Sequence, residues 1–147
     1  MRPNDVSERD GYLEKIKARG RAANPFFLLM GIEVESFGDG KAELSMQVRP
    51  DMLNGVGWLQ GGLYTALCDE AMALALYTAL ENGERIATIS ESTSYLEGVR
   101  DGKIIAKGRV VKKGRHVAFT EGCVKKAFGD EAVLTQTRAS FTVIRKT

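Results

Sequence analysis

The spacing of apolar and polar positions changes period several times along the chain, and each change marks an element. From about Ser7 to Ala23 the residues are largely charged, ending at Asn24-Pro25. A proline disfavours helical backbone in the residue before it, so this stretch predicts a surface helix that stops there. Phe26 to Met30 follows as a compact apolar run. From Lys41 to Arg49, Ala42, Leu44, Met46 and Val48 alternate with Glu43, Ser45, Gln47 and Arg49. That period of two marks a half-buried strand. Ile32 to Phe37 reads as its partner, joined through Gly38-Asp39-Gly40, which is good hairpin chemistry.

Pro50 to Gly62 reads as a glycine-rich loop. It leads into a long apolar helix from about Gly61 to Leu80, stopped near Glu81-Asn82-Gly83. Four strands are expected after it: Ile86 to Tyr95, Ile104 to Lys112, His116 to Ala127 and Ala132 to Arg145. Lys113-Gly114-Arg115 and Gly129-Asp130-Glu131 supply two of the turns. Short turns predict antiparallel neighbours. A helix apolar nearly all round needs cover, which an antiparallel sheet wrapped round it would provide. The fold class expected is therefore α+β, as one domain over residues 1–147 with residues 1–24 as a helical N-terminal extension.

Composition narrows the function classes. The 147 residues are 44% apolar and 27% charged, with a formal charge of +2. A near-neutral chain without a basic stripe of interleaved aromatics argues against nucleic acid as partner. Leu63 to Leu80 approaches the length of a membrane span, but Asp69 and Glu70 interrupt it and no second such segment occurs, so a buried core helix is expected instead. The N-terminal residues include Arg2, Asp5, Glu8, Arg9 and Asp10 and form no apolar signal core. Cys68 and Cys123 form no CxxC and have no histidine at metal-ligand spacing. Each lies in an apolar stretch, which suggests free thiols in a reducing, cytoplasmic setting; a single disulfide between them is the alternative.

Three features around the long helix could carry chemistry. Gln60-Gly61-Gly62 offers no Ser, Thr or Asp to cap the helix start. Its backbone N–H groups therefore stand open to a close-approaching ligand at the positive end of the helix dipole. A thioester carbonyl turning into an oxyanion suits such a place, while a glycine turn that merely lets the helix pack is the plain alternative. Asp69 and Glu70 sit in an otherwise apolar helix, about 100° apart around it, so they should not share one environment. Burying an unpartnered carboxylate is costly, and one kept in such a place is usually paired or used. Finally, Gly61 and Asp69 lie eight residues apart, about 12 Å of helical rise. An oxyanion donor and an attacking group must both come within about 3 Å of one carbonyl. One chain's Gly61 and Asp69 thus cannot serve the same carbonyl. Two antiparallel helices across a two-fold axis would bring Gly61 of one protomer to Asp69 of the other, which predicts a composite site in a homodimer.

The spacing resembles the PaaI-like branch of hotdog-fold thioesterases, in the 4-hydroxybenzoyl-CoA thioesterase superfamily, from about Asn24 to the C-terminus. That branch has an Asn, a His-Gly-Gly six residues on, and an Asp nine residues after the His. Here these fall on Asn54, Gln60-Gly61-Gly62 and Asp69. Thr88, seven residues before Tyr95, falls where the family often has a supporting Ser or Thr. Gly114-Arg115 followed by Phe119-Thr120-Glu121 is also typical. The resemblance implies a hotdog fold and hydrolysis of an acyl-CoA thioester. In it the Gly61 N–H polarises the carbonyl, and Asp69 acts as nucleophile or as general base. Asn54 would hold the water or the thioester, and Thr88 would orient Asp69 or the water. No metal or redox cofactor is implied, CoA entering only as part of the substrate. Dimers would pair into tetramers. The family's His is Gln60 here; glutamine still hydrogen-bonds a carbonyl but does not carry a proton as histidine does.

Other candidates are weaker. Gly62 and Trp58 are candidate substrate contacts, with Phe26, Phe27 and Met30 as further residues for an acyl pocket or for plain core. Lys113 and Arg115, with Lys112, flank a glycine turn and could meet CoA phosphates, or be solvated turn residues. His116, the only histidine, reads as a strand-start residue. A hydratase would want a histidine shortly after Asp69, and Glu70 to Leu74 contain none. A binding protein for acyl-CoA without turnover is the other alternative, raised by Gln60.

Overall fold

The computed structural model describes residues 8–130 and 132–145. Ser7, the expected start of the first helix, and the charged residues ahead of it lie outside the described residues, as does Glu131 of the last turn. The elements in chain order are α1 (Glu8–Arg19), a 3₁₀ turn (Gly20–Ala23), α2 (Pro25–Met30), β1 (Glu33–Gly38), β2 (Lys41–Gln47), a second 3₁₀ turn (Pro50–Met52), α3 (Gly61–Tyr77), β3 (Glu84–Tyr95), β4 (Lys103–Lys113), β5 (Val117–Lys126) and β6 (Val133–Arg145).

Local chemistry explains the joints. Asn24 both ends the first helical segment and caps α2: its side chain accepts from the Phe26 amide at 2.9 Å, with Pro25 in the first turn. Gly31 closes α2 in the left-handed region, φ 69°. Asp39 and Gly40, with φ of 52° and 74°, form the two-residue turn between the paired Gly38 and Lys41. Positive φ at both central positions matches the twist of the flanking strands. Thr78 ties the end of α3 to that turn, accepting from the Gly40 amide at 2.8 Å and donating to the Ala75 carbonyl at 2.7 Å.

The strands form one sheet in the order β1-β2-β4-β5-β6-β3. Every neighbouring pair is antiparallel, but only some neighbours are consecutive in the chain. After α3 the chain goes to the far edge, lays down β3, and returns to place β4 beside β2. α3 packs chiefly on β2, β4 and β5. Leu67, Cys68, Ala71, Met72, Leu74, Ala75 and Leu76 are buried there against Leu44, Met46, Ile104, Ala106 and Val124. The approach is close enough to dictate glycine. A Cβ at Gly108 would lie 2.6 Å from the α3 backbone at Ala71 and Met72, and one at Gly122 would lie 2.6 Å from the Cys68 sulfur. This is the hotdog arrangement, a long helix on an antiparallel sheet.

The other side of α3 is more open. Leu63, Ala66 and Ala73 are half-buried, and Tyr77 is covered by Tyr12 of α1, with ring centroids 5.0 Å apart. Among the described residues no helix is long and apolar enough to cross a membrane. The two sheet edges also differ. β1 is six residues long, carries Glu33 and Glu35 and has a register shift. β3 is twelve residues long, has a register shift of its own between Thr88 and Ser90, and exposes Arg85, Thr88, Ile89, Ser90, Ser92 and Ser94.

Candidate active site

The start of α3 is uncapped. Gln60 occupies the N-cap position, is exposed, and its side chain makes no capping bond. Among the described residues, neither the Gly61 nor the Gly62 amide meets a hydrogen-bond acceptor. Neither glycine is demanded by sterics. A Cβ on Gly62 would meet nothing within 4 Å, one on Gly61 would make ordinary contact with the Tyr95 ring at 3.6 Å, and neither has positive φ. Packing, which does dictate Gly108 and Gly122, is therefore no reason for glycine here. What the pair does supply is open backbone donors at the positive end of a 17-residue helix.

The loop before it is organised by Asn54. Its side-chain oxygen accepts from the backbone amides of Val56 at 3.0 Å and Trp58 at 3.1 Å, and its backbone N–H donates to the Trp58 carbonyl at 2.7 Å. Trp58 packs on Gly98 and carries the Arg100 guanidinium 3.9 Å above its ring. The cleft Trp58 lines, about 470 Å³, is a different one from the cleft of Asp69.

Asp69 lies two turns along α3. With Thr88, Glu70, Asn24, Tyr12 and Ala73 it lines a cleft of about 270 Å³. The structure thus brings Asp69 and Thr88 together, and it leaves Gly61 and Asp69 eight residues apart on one helix. Glu70 and Asp69 part company in their partners, as their angular separation predicts, yet both border this one cleft, which departs from the expected separation of environments. Glu70 accepts from the Asn24 side chain at 3.3 Å, and Asn24 also donates to the Tyr12 hydroxyl at 3.1 Å. Burial, and then the charge of Asp69, push the Glu70 carboxyl up to about 7, the Asn24 bond offsetting part of this.

Asp69 faces β3. Its Oδ1 is buried without a hydrogen-bond donor, and so is Oε1 of Glu91, whose carboxyl lies within hydrogen-bonding reach of Asp69. Burial, then that hydrogen bond and the Asp69 charge, push Glu91 well above the usual carboxylate range. This pair is one rung of a longer ladder. The Tyr95 hydroxyl donates to the Gly61 carbonyl at 2.9 Å, and Thr65 and Thr93 share a hydrogen bond at 2.8 Å. Thr65 also bonds Tyr95 at 3.1 Å, and Thr93 bonds Thr137 of β6 at 2.9 Å. Two strand residues advance about 6.7 Å and four helix residues about 6 Å. Tyr95, Thr93 and Glu91 therefore keep step with Gly61, Thr65 and Asp69. Sequence reading passed over Glu91, Thr93, Tyr95 and Thr65. The available signal was a strand polar on alternate inward positions, beside a helix with polar or glycine positions four apart.

The remaining candidates sit elsewhere. Lys113 is committed to Glu84, at 3.0 Å, and Arg145 closes on the same carboxylate at 2.8 Å. Glu84 is 1% exposed. Burial alone would raise it, but the Glu81 amide, Lys113 and Arg145 more than offset that and hold it below the usual range. Arg115 is exposed in the β4–β5 turn. His116 is exposed just before β5, its carbonyl accepting from the Val143 amide at 2.8 Å. Cys68 and Cys123 are free thiols, and burial pushes Cys68 up to about 12, so it is no ready nucleophile.

The family model of the thioesterase superfamily matches residues 57–133, which include Gly61, Asp69 and Thr88. The chain belongs to the thioesterase superfamily. Human acyl-coenzyme A thioesterase 13 is 32% identical over 108 residues, 73% of this chain and 76% of the human one. A curated relative from Haemophilus influenzae is matched over 64% of its length, at 31% identity and 60% of this chain. Among solved structures, a thioesterase from Haemophilus influenzae superposes with TM-score 0.76 at 25% identity, over 83% of this chain and 84% of that one. A mutant of the phenylacetic acid degradation protein PaaI from Thermus thermophilus gives 0.73 at 23% identity, over 81% and 98%. This last likeness is one of fold alone.

Proposed function

We propose that this chain hydrolyses acyl-CoA thioesters to the free acid and CoA, with Asp69 as the working carboxylate. The observation that carries the reading is the pairing of two unusual features on one helix. One is a start whose glycine amides are open without any steric need for glycine; the other is a buried carboxylate oxygen with no protein donor. In the reaction the carbonyl oxygen takes up negative charge beside the Gly61 N–H. Either water attacks the carbonyl carbon as Asp69 takes its proton, or the Asp69 carboxylate attacks and water later cleaves the mixed anhydride. In both routes the C–S bond breaks and the thiolate of CoA leaves. In this reading Gln60 hydrogen-bonds the thioester and Thr88 orients the water or Asp69; Asn54, expected to hold the water or the thioester, has its side-chain oxygen engaged by the Val56 and Trp58 amides and serves the loop that delivers Gln60 and Gly61.

The site is composite. The β3 edge is twelve residues long against six in β1 and exposes a run of small polar and apolar residues from Ala87 to Ser90, and such an edge invites pairing with another chain. Pairing β3 with β3 of a second copy sets two α3 helices antiparallel and brings Gly61 of one protomer towards Asp69 of its partner. Mixed dimers of a Gly61→Pro chain and an Asp69→Asn chain would then recover about one working site of two, whereas either homodimer is inactive. Absence of recovery contradicts the shared site. Single turnover in ¹⁸O-water separates the two routes, since only nucleophilic attack labels Asp69 itself. Binding of acyl-CoA with no turnover would instead favour a binding protein, the reading that Gln60 raises.

A further inference from the structure

Asp69 and Glu91 present a difficulty of elementary chemistry. An ionised carboxylate only accepts hydrogen bonds. Here Oδ1 of Asp69 and Oε1 of Glu91 are both buried, neither meets a donor, and the two carboxyl groups lie within hydrogen-bonding reach of each other. Two ionised carboxylates so placed repel; one proton held between them turns the contact into a charge-assisted bond. We infer that Glu91, as the carboxylic acid, donates to Asp69 and fixes the aim of the Asp69 carboxylate, so that it is a positioning residue for the hydrolysis proposed above, a reading on which this inference rests.

The backbone supports this division of labour. Glu91 sits in the middle of β3, pairs with Ala139 of β6, and stands on the same strand face as Thr93 and Tyr95, both fixed to α3 by hydrogen bonds. It is therefore held on two sides, while Asp69 also borders the open cleft with Thr88. The other titratable groups facing the pair are Glu70 and Cys68 on α3, with Tyr12 of α1 beyond Glu70 and Cys123 of β5 beyond Cys68, and Glu91 also borders a second cleft with Glu121 of β5 and Arg138 of β6. Arg138 is exposed and pairs in register with Ser92, and among the described residues it makes no ion pair with Asp69 or Glu91. Asp69, Glu70 and Glu91 thus form a cluster whose negative charge is relieved by protons. Burial and the Asp69 charge both favour the protonated form of Glu91. As pH rises through its ionisation the donor is lost, the pair repels, and Asp69 loses its aim.

The test pairs a readout that needs no turnover with one that does. Carboxyl ¹³C NMR of labelled wild type, with Glu70→Gln used to identify the Glu70 signal, should show Glu91 titrating well above the ordinary glutamate value of about 4.3. In Asp69→Asn it should fall back by about a unit or more. Hydrolysis of the best acyl-CoA should show an alkaline descent in wild type. Glu91→Gln, whose amide also donates, should keep kcat within about three-fold and lose the descent, while Glu91→Leu should lose about ten-fold or more in kcat with little change in KM. Glu91 titrating at the ordinary value, or unmoved by Asp69→Asn, overturns the shared proton whether or not the protein is a hydrolase. So does a Glu91→Gln profile that retains the wild-type descent. A raised Glu91 in a protein that cleaves no thioester removes the hydrolytic reading instead, and with it the role of Glu91 in it.

Discussion

The two flanks of α3 obey different rules. Towards β4 and β5 the helix comes so close that Gly108 and Gly122 leave no room for a Cβ, and the residues between are apolar. Towards β3 the contacts are hydrogen bonds made by Tyr95 and Thr93 to Gly61 and Thr65, and beyond them the carboxyl groups of Glu91 and Asp69 face each other with buried oxygens that meet no donor. The first flank sets where the helix lies. The second spends that rigidity on polar groups whose worth lies in their geometry. Glycine itself has opposite meanings on the two sides: space for backbone contact at 108 and 122, open amides at 61 and 62.

The comparison breaks most sharply by substitution of those glycines. Gly108→Val should cost about 3 kcal/mol or more in urea unfolding, because the atoms it meets are helix backbone that cannot step aside. Gly62→Ala should leave stability within about 0.5 kcal/mol. Equal losses at both would erase the distinction.

A second contrast separates Lys113 from Arg115. Lys113→Met leaves the buried Glu84 with Arg145 as its remaining cation and should cost about 2 kcal/mol, with KM for acyl-CoA unchanged. The Glu84 carboxyl is held low, so the stability it contributes is present at neutral pH and is lost as pH falls through its folded ionisation. Arg115→Ala should do the reverse, raising KM several-fold at low salt while the unfolding midpoint holds. A KM effect at Lys113 would return it to the substrate.

Glu70 gives a pH test. Its carboxyl ionises near 7 in the fold and lower when unfolded, so the folded state binds the extra proton between those values and stability falls as pH rises through that window. Glu70→Gln should flatten this slope and gain about 1–3 kcal/mol at pH 8 relative to pH 4. Thr93→Val should cost only about 1 kcal/mol, from loss of its bonds to Thr65 and Thr137.

Much of the apolar flank was legible in the sequence, because it follows periodicity. The alternation in β2, the apolar run of α3 and the glycine turns placed every strand within a few residues, and the α+β hotdog class is what the structure has. Asp69 was conspicuous for the same reason, as a charge in an apolar helix. The polar flank was not legible, because its partners come from distant strands. Glu91 meets Asp69 only once β3 has crossed to the sheet edge, and Lys113 and Arg145 meet Glu84 across 29 and 61 residues. A charged turn and a buried triad look alike until pairing is known.

The central claim is that the polar flank hydrolyses a thioester through Asp69. Its most direct test is release of free thiol from a panel of short-chain, long-chain and aromatic acyl-CoAs, with wild type and Asp69→Asn side by side. The account predicts turnover of at least one of them, falling by about 10² or more in the variant while its fold persists. Turnover unaffected by Asp69→Asn, or binding of acyl-CoA with no thiol released from any, would contradict it.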